Sequence, residues 1–243
     1  MRTYSTTSLA RQRGISLFII LVVVLLSTLL ALWASRSALL NEMIVGNDAD
    51  YQRAFEAAQA MIQDAELDIQ GLRADGARCQ PVTGNTQLCR PAASAIFFPD
   101  EIKEFGPLMS ALDAEGTKCK NGICQKRTGV QDFWRHSSTL DPMLEQGARY
   151  GQYTGATTAE SNTSSNPILN DRGTSSGAWY WVEVMRYADA NKVLMSSTPG
   201  ANMFAYAPTA SNPFVYRITA LAKGRRPGTQ VVLQSVFVQK RRD

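Results

Sequence analysis

The sequence predicts an α+β protein, with a long N-terminal α-helix packed on a small antiparallel β-sheet head. Three observations carry this. Twenty uncharged residues, Ile15 to Ala34, form an apolar run with only Ser16, Ser27 and Thr28 as polar breaks. A helical apolar repeat follows at residues 51–72, and β-branched and aromatic stretches appear only late in the chain.

The run is longer than the apolar core of a secretory signal, and Trp33 and Arg36 stand where small residues would be needed for cleavage. Its length suits a helix that crosses a bilayer. Arg2, Arg11 and Arg13 precede it with no acidic residue among residues 1–14. The positive-inside rule then keeps the N-terminus cytoplasmic and places the remainder outside. Nothing ionisable lies within the run, which argues against an ion or proton pathway.

A helical pattern continues past the run. Tyr51, Phe55, Ala58, Ile62, Ala65, Ile69 and Leu72 step alternately by four and three and make one packing stripe. Gln52, Arg53, Glu56, Gln59, Gln63, Asp64, Glu66 and Asp68 form the opposite, polar face. Gly46 and Asn47 mark a weak point, where Asp48 could cap a resumed helix. One helix over residues 15–72 would extend about 87 Å. Gly71 and Gly76 terminate it, with Pro81 beyond. The chain thus divides into a basic segment at 1–14, a membrane-spanning helix at 15–34, an amphipathic continuation at 35–72 and an extracytoplasmic head at 73–243.

The head is loop-rich up to residue 177. Residues 99–115 hold short helical turns, and 154–177 read as a long polar loop. Cys79, Cys89, Cys119 and Cys124 form two close pairs in a chain expected to leave the cytosol, so disulfides are favoured. Proximity pairs Cys79 with Cys89 and Cys119 with Cys124, the latter around an Asn121–Gly122 turn. A zinc site is the rival reading. The cysteine spacings and the single histidine, His136, fit it poorly, so no metal or other cofactor is expected. Strands are expected at 178–188, 213–222 and 229–239, the last two joined as a hairpin by the basic 223–228 segment; 201–207 is a candidate fourth strand.

Net charge is +4, but the three leader arginines leave only +1 for residues 15–243. The pI of 8.9 is therefore no argument for nucleic-acid binding. The basic 223–226 and 239–243 stretches read as a solvated hairpin tip and tail, with contact to an acidic partner as the alternative. Asp100, Glu101, Glu104, Asp113 and Glu115 show no helical pairing to a base. His136 beside Ser137 and Ser138 lacks a nucleophile motif, so no catalysis is expected.

Taken in order, a basic leader ending in glycine, an apolar helix starting at once, an amphipathic continuation and a late antiparallel sheet resemble a type IV pilin-like precursor. The resemblance implies cleavage by a prepilin peptidase between Gly14 and Ile15, with methylation of Ile15. Major pilins carry glutamate at the fifth residue after the cut, and here that residue is Ile19. Residues 11–68 and 179–238 are similar to PilX-type minor pilins, which also lack that glutamate.

This similarity implies priming of pilus assembly within a tip complex, and with it support of twitching motility and adhesion. The implied partners are other minor pilins and the major pilin through the N-terminal helix, a PilY-type tip adhesin, the prepilin peptidase and the inner membrane before assembly. A GspK-like pseudopilin of type II secretion is the nearest alternative, although those proteins carry a larger inserted helical domain. A single-pass periplasmic sensor or binding protein, which would retain residues 1–14, is the alternative of a different class.

Overall fold

The computed structural model describes residues 15–80, 88–90, 94–157, 166–186 and 213–239. Gly14, the candidate strand at 201–207 and residues 240–243 of the basic tail lie outside these. The chain divides into two compact units, Met1–Asp48 and Ala49–Asp243.

Helix α1 (Ile15–Ile69) runs without interruption through Gly46. Asp48 therefore lies inside the helix and caps nothing, because the backbone N–H groups it would have satisfied already have helical partners. Gly71 ends α1. Its φ of 62° is one a side-chain-bearing residue resists. In this position Leu72 N donates to Leu67 O (2.9 Å) and Gly71 N to Asp68 O (3.0 Å), which makes a Schellman motif.

In the Ala49–Asp243 unit, five strands form one sheet in the order β1-β2-β3-β4-β5: β1 (Cys119–Lys120), β2 (Ile123–Gln125), β3 (Gly177–Arg186), β4 (Phe214–Lys223) and β5 (Gln230–Phe237). The late strands pair antiparallel, with Trp179 opposite Leu221 and Ala222 opposite Val231. The sheet departs from the expected all-antiparallel pattern at β2–β3, which is parallel with Ile123 opposite Val182. A chain segment of more than fifty residues separates these two strands, so local turn signals do not set their direction.

Both faces of the sheet are covered. Tyr180, Val182 and Val184 of β3, with Phe214, Tyr216, Ile218, Ala220 and Ala222 of β4, share a core with Ala54, Ala57, Ala58, Met61 and Ala65 of α1. The alanines let α1 lie close to the sheet. Leu108 and Leu112 of α2 (Ile102–Asp113) join this core. On the other face Trp179, Trp181 and Leu221 pack against α3 (Ser137–Gln146) through Leu140, Met143 and Leu144, and against Phe133 of a short 3-10 turn. Burying Trp179, Trp181 and Phe133, the last two with their rings edge to face, stabilises this second layer by several kcal/mol, at about 25 cal/mol per Å². The 154–177 segment is not all loop. α4 (Pro167–Asn170) starts at an Asn166 cap and buries Ile168 and Leu169.

Candidate assembly interface and the head that carries it

From Ile15 to Trp33 the apolar side chains of α1 are solvent-exposed; Ile15 is 64% and Ile19 53% accessible. The most apolar stretch of α1 has a mean hydropathy of 3.1, so the helix is long and apolar enough to cross a membrane. Surface of this kind is stable only against lipid or against other apolar helices. Ile15 and Ile19 lie on this surface.

Further along α1, the most buried line sits one position before the expected stripe: Asp50, Ala54, Ala57, Met61, Asp64 and Asp68. Of the expected stripe, Ala58, Ala65 and Ile69 are buried, Phe55, Ile62 and Leu72 are half-buried, and Tyr51 is exposed. Asp64 and Asp68, expected on the solvated face, are 2% and 7% accessible. The correction has a physical reason. Each buried carboxylate accepts hydrogen bonds from a segment distant in sequence, so the burial that a periodicity count penalises is compensated.

Asp50 accepts the backbone N–H groups of Arg225 and Arg226, both at 2.9 Å. This ties the β4–β5 turn to α1. Burial works against its ionised form, but those two hydrogen bonds hold the carboxyl below its ordinary value. The basic tip thus meets an acid of its own chain through its backbone, and the charge of Arg226 adds to the same effect.

Asp64 accepts from Gly151 N (2.8 Å) and from the Thr154 hydroxyl, fastening the 151–154 turn. Burial pushes Asp64 up to about 6, against the pull of these two hydrogen bonds. Gly151 has a φ of 67°, and a Cβ there would stand 1.8 Å from Ala156 O, so the turn requires glycine.

Asp68 meets Arg90, whose Nε and Nη2 approach the carboxylate at 2.9 and 2.7 Å; the Tyr180 hydroxyl donates to the same carboxylate at 2.7 Å. Both side chains of the ion pair are below 10% accessible. Arg90 also donates to Asn121 O and stacks on Tyr153, 3.7 Å from the ring centre. Burial alone would lower its pKa, but Asp68 raises it, so the guanidinium is firmly charged.

Disulfides join Cys79 to Cys89 and Cys119 to Cys124, with Cα separations of 5.4 and 4.1 Å. The first fixes the residue next to Arg90; the second staples the β1–β2 hairpin. The carboxylates at 100–115 serve structure. Glu101, Asp113 and Glu115 pair with Lys103, Lys118 and Lys120, and Glu104 accepts the N–H of Glu101 at the start of α2. His136 is the residue preceding α3. Among the described residues no group of three His, Cys, Asp or Glu side chains could hold a metal ion. Sequence reasoning missed the aspartate line. The signal for it was Asp50, Asp64 and Asp68 recurring at helical spacing beside alanines, where a solvated face would have carried longer side chains.

Two family models match the chain. One, described as type IV pilus assembly protein PilX C-term, covers residues 120–239; the other, PilX N-terminal, covers residues 13–63. No curated protein and no solved structure matches it. The C-terminal match spans β2 to β5 and the last residue of β1 with their second helical layer, and the N-terminal match spans the exposed apolar helix and the buried line as far as Met61. With both ends of the fold matched in order, the chain belongs to the PilX family of type IV pilus minor pilins.

Proposed function

We propose that this minor pilin primes type IV pilus assembly and takes its place in the tip complex. The observation that carries the proposal is an apolar helix surface over Ile15–Ala34 with Ile19 where a repeating subunit would supply glutamate. In a filament core, such a carboxylate neutralises a neighbour's N-terminal amine, and a buried amine without a partner is costly. A subunit lacking it fits the end of the filament, where no subunit lies beyond.

On this reading residues 1–14 are the leader, the peptidase cuts between Gly14 and Ile15, and Ile15 is methylated. Residues 15–34 anchor the protein in the inner membrane, with residues 1–14 cytoplasmic and the 73–243 head periplasmic. During assembly the 15–34 helix exchanges lipid for the helices of other minor pilins and the major pilin, and the 35–72 continuation carries the head. The head then stands at the extracellular tip beside a PilY-type adhesin and supports adhesion and twitching. No catalytic or nucleic-acid-binding role enters. Deleting the gene and counting pili by electron microscopy tests the priming role. Loss of most pili, restored by complementation, is expected; normal piliation and twitching reject it.

A further inference from the structure

A second surface of the head lies on the sheet face opposite α1. A cavity of about 640 Å³ opens there between the β1–β2 hairpin, the start of α3 and the 125–133 segment. Its apolar lining includes the Cys119–Cys124 bridge, Phe133, Pro142 and Met143. Arg127 lies against that lining: its guanidinium is 4.5 Å from the Phe133 ring centre, and Nη2 is 3.3 Å from Met143 Sδ.

Arg127 is held in place beside Glu183, whose charge favours the ionised guanidinium without forming an ion pair with it. Its N–H donates to Glu183 (2.9 Å), and its carbonyl accepts from Gln131 Nε2 (3.2 Å), so the backbone is clamped on both sides. The nearby carboxylates are engaged elsewhere. Glu183 pairs with Arg217, which also donates to Gln131, and Asp113 pairs with Lys118. Among the described residues, no carboxylate forms an ion pair with Arg127 or with its exposed neighbour Lys126. Ser138, in the first turn of α3, lines the same opening, and the start of a helix also favours negative charge.

A half-buried guanidinium has lost part of its hydration. It recovers that loss when a carboxylate meets its planar fork through two hydrogen bonds. The apolar lining beside it accepts a hydrophobic side chain from the same ligand. We propose that this groove binds an acidic peptide segment of a partner protein, an Asp or Glu next to an apolar residue, with Arg127 as the anchor and Lys126 as a supporting charge. The assignment adds a partner site to the head and does not depend on the priming role, which resides in the 15–34 helix.

The test uses the full chain in lipid nanodiscs and fluorescence anisotropy with a labelled Glu-Leu-Asp-Leu-Glu peptide at low salt. The wild type should bind it, and the amide analogue Gln-Leu-Asn-Leu-Gln at least tenfold more weakly. Arg127→Gln should weaken binding about tenfold and Arg127→Lys less, because lysine lacks the fork. Lys126→Gln, at an exposed position with no packing role, should weaken it about threefold and keeps the test independent of folding. Lys103→Gln should have no effect. Absence of binding, equal binding of the amide peptide, or unchanged affinity in both the Arg127→Gln and Lys126→Gln variants would overturn the proposal. Displacement by equimolar inorganic sulfate would also overturn it, by assigning the groove to small anions.

Discussion

Replacing Arg90 by Met tests whether a buried ion pair holds the C-terminal end of α1 to the sheet. Arg90 closes three hydrogen bonds at 2.7–3.1 Å on Asp68, and the pair is nearly inaccessible to water. Methionine fills much of the same volume but leaves Asp68, among the described residues, with the Tyr180 hydroxyl as its one remaining side-chain donor. An uncompensated buried charge of this kind costs about 3–5 kcal/mol, and loss of the stack on Tyr153 adds about 1 kcal/mol. Urea unfolding of the full chain in detergent, followed by near-ultraviolet circular dichroism of the buried Trp179 and Trp181, reads this directly. With a slope of about 1–3 kcal/mol per M, the midpoint should fall by more than 1 M. Adding Asp68→Asn removes the stranded charge, so the double variant should be more stable than Arg90→Met alone. A cost below about 1 kcal/mol for Arg90→Met, or strictly additive costs in the double variant, would refute the reasoning.

Further outcomes follow from the buried aspartates of α1 and from the two disulfides. Because Asp64 is raised in the fold to about 6, its contribution to stability is fully present below its unfolded value and is lost as pH rises through 6. Wild-type unfolding free energy should therefore drop by up to about 3 kcal/mol between pH 4 and 7.5, and Asp64→Asn, with the Thr154 hydroxyl turned to accept, should flatten that drop. Asp50→Ala frees the amides of Arg225 and Arg226; a loss of about 1–3 kcal/mol and faster hydrogen exchange at those two amides are expected. Replacing Cys79 and Cys89 by Ser should cost about 2–3 kcal/mol from loop closure, and more if Arg90 leaves Asp68. In the same unfolding assay, the Cys119→Ser/Cys124→Ser variant, which opens a much shorter loop, should lose less.

The parts legible in the sequence were those set by local pattern. The apolar run and the four-three repeat marked α1. The β-branched and aromatic stretches marked β3, β4 and β5, and Gly71 marked the helix end. What stayed hidden depends on long-range partners. The second layer rests on α3, whose sequence SSTLDPMLEQ is short and polar and contains Pro142, so no apolar face announces it. The parallel β2–β3 pairing joins residues about sixty apart. Asp64 and Asp68 looked like solvated surface because their donors are Arg90, Thr154, Tyr180 and the Gly151 backbone, and nothing in α1 itself points to them. The Arg127 groove was hidden for the same reason, since Phe133, Met143 and Glu183 meet only in the fold.

If the apolar helix is an assembly element freed of a short leader, as proposed above, the N-terminus of the mature protein carries the mark of it. Mass spectrometry of the protein purified from the cell envelope and from sheared pili should find a chain beginning at Ile15 and carrying one added methyl group. A chain beginning at Met1 in both fractions would contradict it and return the protein to the class of simple membrane-anchored domains.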